Sequence, residues 1–115
     1  MTGALGATDG RTVYLDPEQS RRQRRCTLIH EVEHARRGHT GPVSLEEERA
    51  VAHAAARFLL PDLAAVTAIL AAHAGHCQHA ARVLDVDEAT LLARLDAAHL
   101  TPAEVARVTA WLEAA

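Results

Sequence analysis

Two histidines four residues apart, His30-Glu31-Val32-Glu33-His34, form the densest group of chemically able side chains in this 115-residue sequence. On an α-helix, residues four apart share a face with Cβ atoms about 5–6 Å apart, so two imidazoles can converge on one Zn²⁺ at about 2.0–2.1 Å each. Glu31, turned about 100° round the helix, is placed to touch a metal-bound water rather than the metal. In the same phase Leu28, Val32 and Ala35 share the opposite face. The expectation is a helix buried on that apolar side and functional on the histidine side.

A zinc centre that acts on a substrate needs a third protein ligand and an open fourth position. The next helix offers one. Its polar stripe is Arg49, His53 and Arg57, its apolar stripe is Val51, Ala55, Phe58 and Leu59, and helical phase sets Glu48 on the apolar side. Glu46 points with the polar stripe and Glu47 is taken by a capping box, which leaves Glu48 as the inward carboxylate. Buried without a partner it would be costly, and a metal ion or an arginine relieves that cost. The alternative role for Glu48 is an acid at the helix start answering the dipole.

Two further clusters carry ligand types. Cys26, His30 and His34 form one stripe, but their Cα atoms span about 12 Å at about 1.5 Å per residue, too far to surround one ion from a straight helix. Cys26 therefore reads as a buried thiol. His73, His76, Cys77 and His79 gather around Gly75 with spacings that suit either a second metal site or solvated, capping histidines.

Two helices must position the first group, and the sequence supplies their ends. Ser20 with Gln23 reads as a capping box for a helix running to residue 37 and stopped by Gly38. Ser44 with Glu47 reads as a second box, for a helix running to residue 60 and ended by Pro61. Further helices are predicted over 62 to about 74, about 76 to 84 and 87–98, with a last one begun by Thr101, Pro102 and Glu104. Before them, the Asp9-Gly10 turn signal and the β-prone run Thr12-Val13-Tyr14-Leu15 predict a small hairpin or an edge strand. The fold class is α+β, mainly α, as one domain over residues 1–115 whose part from residue 76 onward is helical.

Composition narrows the function classes. Roughly a fifth of the residues are Ala and 3% are aromatic, which implies a thin helical core. No apolar run nears the roughly 18 residues of a membrane span, and the start MTGALGATDG lacks the basic and apolar regions of a secretory signal, so a cytoplasmic protein is expected. Two cysteines do not make a disulfide framework. The run Arg21-Arg22-Gln23-Arg24-Arg25 lacks interleaved aromatics and reads as a solvated helix start. Residues 80–95 have a helix-turn-helix rhythm, yet the second helix offers only Arg94 among Asp87, Glu88 and Asp96, which argues against direct nucleic-acid binding.

The stretches RTVYLDPEQSRRQRRCTLIHEVEHARRGH and EERAVAHAAARFLLP resemble the strand, zinc helix and second ligand helix of short ImmA/IrrE-type metallopeptidases of bacteria and phages, and VLDVDEATLLARL extends the likeness. The resemblance implies a zincin-like fold, zinc-dependent endopeptidase activity, His30, His34 and Glu48 as zinc ligands, and Glu31 as general base. It further implies a protein partner, a helix-turn-helix repressor cleaved to release genes of a mobile element or stress response. One position departs from the pattern: four residues after the ligand Glu that family commonly carries an Asp able to orient a ligating histidine, and here it is Ala52. His53, a further 100° or so round the helix, does not replace it. Ala52 favours the rival reading, a non-catalytic zinc-stabilised module that binds such a regulator. For a peptidase, His39, His73, His99 and Tyr14 are the candidates for a transition-state donor, and the strand at Thr12 to Leu15 is the candidate to hold substrate by β-augmentation.

Overall fold

The computed structural model describes residues 6–114; residues 1–5, which belong both to the stretch read for a signal and to the expected β segment, lie outside that range. The described residues form six α-helices and one two-stranded antiparallel sheet. Strands β1 (Gly6–Thr8) and β2 (Val13–Leu15) pair with Gly6 opposite Leu15, Ala7 opposite Tyr14 and Thr8 opposite Val13. The predicted turn closes them, because Asp9 Oδ1 accepts from the backbone N–H of Arg11 at 2.9 Å and of Thr12 at 2.8 Å.

Helix α1 (Arg21–Arg36) opens on the full Ser20/Gln23 capping box, with Ser20 Oγ accepting from Gln23 N–H at 3.1 Å and Gln23 Oε1 accepting from Ser20 N–H at 3.2 Å. Gly38, with φ +79°, ends it. The N–H of Gly38 donates to Ala35 and that of His39 to His34, at 3.0 and 2.9 Å, a pairing that a left-handed glycine permits. Helix α2 (Leu45–Leu59) keeps half of its expected box: Ser44 Oγ accepts from Glu47 N–H, while the Glu47 side chain pairs with Arg37 at 2.8 Å instead of returning to the cap.

Beyond Pro61 the chain bends by 87° into α3 (Leu63–Ala72), capped by Asp62. Helices α4 (Cys77–Val83), α5 (Glu88–Arg94) and α6 (Pro102–Ala114) follow. The helix expected over 87–98 stops at Arg94 because Asp96, bound bidentately to Arg49 at 2.9 Å, caps a separate 3-10 turn, Ala97–His99. No single helix among the described residues is long and apolar enough to cross a membrane.

The core is thin, as the Ala content implies: Cys26, Leu60, Val66, Leu70, Ala80, Ala81, Val86 and Leu91 pack where α1, α3, α4 and α5 meet the end of α2. Two expected apolar faces are corrected. Leu28 and Val32 are 39% and 45% exposed, and α1 instead buries Cys26, Thr27, Glu31 and His34. The reason is positional, since α1 lies between the hairpin and α2 and turns its reactive side into that contact. On α2, Val51 and Ala55 are buried as expected, but Phe58 is exposed and His53 is buried under α5 and the 3-10 turn.

Candidate metal centre

The antiparallel pairing of α1 and α2 places one carboxylate opposite two imidazoles. Glu48 Oε1 lies 2.7 Å from His30 Nε2 and 3.0 Å from His34 Nε2. One potential ligand atom from each of the three residues lies within 4.8 Å of the others, so His30, His34 and Glu48 form a group that could hold a metal ion. Two imidazole nitrogens and a carboxylate oxygen suit a borderline divalent cation, and about 3.3 Å between donors is what a tetrahedral ion with bonds near 2.0–2.1 Å requires. The two contacts of Glu48, at 2.7 and 3.0 Å, would open by a few tenths of an ångström to reach it. His34 is buried, while His30 and Glu48 remain partly open to solvent. Burial pushes the Glu48 carboxyl upward, but the hydrogen bonds and charge of His30 and His34 outweigh it and hold the group below the ordinary carboxylate value.

Glu31 is 1% exposed and sits at the boundary of two spaces. One is a cavity of about 20 Å³, room for a single water, bordered by Glu31, His34, Glu48, Thr8 and His39. Thr8 belongs to β1, so the strand beside the site is β1 rather than the expected run at Thr12 to Leu15. The close approach depends on Gly6, where a Cβ would fall 2.5 Å from Thr27 Cγ2 and 3.2 Å from Glu31 Cγ. The other space is a cleft of about 220 Å³ that joins His30 and Glu31 to Ala52, Ala55, Thr90 and Ala93. Ala52, one turn beyond Glu48, puts a methyl group into this cleft.

Of the four candidate donors, the structure brings His39 to the site and not the other three. His39 Nδ1 is 2.9 Å from His34 Nδ1. Tyr14 hydrogen-bonds Asp9 at 3.2 Å and is exposed, His99 stacks on His53 at 5.2 Å, and His73 ends α3. The Gly38 signal could have singled out His39, since a helix closed by a left-handed glycine returns the next residue to the turn of His34.

The second cluster does not converge. His73 and His76 flank His79 with ring centroids 6.4 and 5.7 Å away, Cys77 Sγ donates to the Gly75 carbonyl at 3.7 Å, and these residues form no ligand group. Cys26 is buried near Thr90 and Asp87, and burial pushes its thiol pKa up, as an inert structural thiol requires. Arg94 is 2% exposed and donates through Nε to the Leu60 carbonyl at 2.7 Å, so the one cation of the second helix in the helix-turn-helix-like segment is spent on closing α2.

No protein-family model, curated protein or solved structure matches the chain.

Proposed function

We propose that the chain is a zincin-like, zinc-dependent endopeptidase of the ImmA/IrrE type that cleaves a helix-turn-helix repressor. The observation that carries this reading is the convergence of His30, His34 and Glu48 beside a buried carboxylate, Glu31, across a space of one-water size. A zinc ion held by His30, His34 and Glu48 would supply the Lewis acidity that lowers the pKa of a water and polarises a scissile carbonyl. Glu31 does not belong to the ligand group, and its burial removes competing solvent, which suits it to accept the proton of an attacking water and return it to the leaving amine. Strand β1, whose Thr8 borders the site, is the candidate to align an extended peptide by strand addition, and the repressor as substrate rests on the family resemblance alone.

The second reading, a zinc-stabilised module that binds the regulator without cutting it, is favoured by Ala52, which brings no carboxylate to His30. A Glu31→Gln protein separates the two. It should keep zinc and fold, because the amide is nearly isosteric, and lose by orders of magnitude the cleavage of a repressor encoded beside the gene. Equal cleavage by both proteins removes Glu31 as the base, and tight binding without cleavage by both favours the module.

A further inference from the structure

We infer that His39 is the positioning residue of the metal group, fixing His34 in the tautomer that presents Nε2 to an ion; this rests on the metal-binding reading above. The argument begins in the backbone. Gly38 adopts φ +79° and turns the chain back, so that the N–H of His39 donates to the His34 carbonyl at 2.9 Å. The same turn brings the two rings together, with Nδ1 to Nδ1 at 2.9 Å and centroids 5.2 Å apart.

Two bare nitrogen lone pairs do not meet at hydrogen-bond distance, so one Nδ1 carries the proton of this contact. Glu47 determines which. Its Oε1 faces His39 Nε2 at 3.4 Å and is held on its other side by Arg37 Nη1 at 2.8 Å. A carboxylate only accepts, so it favours the His39 tautomer with hydrogen on Nε2, and Nδ1 of neutral His39 is then an acceptor. For His34 to offer Nε2 as a ligand, its remaining proton must sit on Nδ1. His34 is 3% exposed, so that N–H needs a protein acceptor, and His39 Nδ1 is in place for it. Arg37, Glu47, His39 and His34 thus form a chain whose donors and acceptors all match once an ion takes up the contact between His34 Nε2 and Glu48 Oε1, which stand 3.0 Å apart. Among the described residues no such chain is seen at His30, which shares its cleft with the Ala52 methyl.

The test measures Zn²⁺ affinity by competition with a chromophoric chelator in wild type, His39→Ala and His39→Asn, with thermal melts of the zinc-free proteins alongside. The asparagine carbonyl can occupy the place of Nδ1 and accept the same hydrogen bond. His39→Ala should bind zinc about 10–100-fold more weakly, and His39→Asn should stay within about threefold of wild type. In proton NMR, the zinc-loaded wild type and Asn variant should show a slowly exchanging downfield imidazole N–H from His34 that the Ala variant lacks. If alanine binds zinc as tightly as wild type, or asparagine as weakly as alanine, the positioning role is wrong while the metal site stands. If the wild type binds no zinc, both fall. Should His39→Ala fail to fold, rescue by asparagine still decides.

Discussion

Glu48 Oε1 stands 3.0 Å from Nε2 of His34, a residue 14 positions earlier and on another helix. This contact closes the α1–α2 pair at the end where the metal group forms. It makes Glu48 the side chain whose loss should be felt first. Wild type is expected to take up one Zn²⁺ per chain, and Glu48→Ala to take up little, as read by elemental analysis after zinc loading and desalting. Full occupancy in Glu48→Ala would overturn the ligand set.

Zinc should also stabilise the fold, since an ion that binds only the native state adds about 2.7 kcal/mol at a free concentration a hundred times its Kd. For a domain of roughly this size each kcal/mol raises the melting temperature by about 4–8 °C. Calorimetric melts with added zinc and with a chelator should therefore differ by on the order of 10 °C. Superimposed melts count against a site tied to the folded α1–α2 pair.

Ala52 and His30 line one cleft of about 220 Å³, which has room for a carboxylate one turn beyond Glu48. An Ala52→Asp side chain there can accept from the free ring nitrogen of His30, and such supporting carboxylates are worth about 10–100-fold in metal affinity. Chelator competition should show tighter zinc binding by Ala52→Asp. An unchanged or weakened affinity means that His30 is already well oriented in the wild type.

His53 gives the fold a pH dependence unrelated to the metal group. It is 7% exposed, its Nε2 has no hydrogen-bond partner among the described residues, and its Nδ1 lies 2.9 Å from the Ala93 carbonyl. Burial lowers its pKa below the ordinary histidine value, the Ala93 hydrogen bond opposes this, and the charges of Arg57, His99 and Arg94 lower it further. The unfolded chain then binds the proton more readily than the native one. Stability is complete above the unfolded value of about 6.5 and is lost as pH falls through it. Melting temperatures of zinc-free wild type and His53→Gln between pH 7.5 and 5.5 should show the steeper decline in wild type; parallel declines assign the effect elsewhere.

Local signals carried much of the architecture into the sequence. The Ser20/Gln23 box, Gly38, the Ser44 cap and Pro61 place the ends of α1 and α2 within a residue or two, because caps and breakers act through backbone groups of their immediate neighbours. The spacing of His30 and His34 and the inward phase of Glu48 follow from helix geometry, while the meeting of the three was decided by the packing of α1 on α2.

What the sequence determined by itself, then, was whatever depends on residues a few positions apart: helix ends, the hairpin turn, and which side chains share one helical face. Tertiary packing decided what those faces meet. Leu28 and Val32 look outward because the hairpin and α2 claim the opposite side of α1, and the reactive stripe of Glu31 and His34 became the buried one. Packing also turned Arg94 inward onto Leu60, drew Glu47 from its cap to Arg37, and ended α5 at Arg94 when Asp96 met Arg49, 47 residues earlier. The physical reason is that a charged side chain chooses the partner nearest in space, and periodicity records only the chain on which it stands.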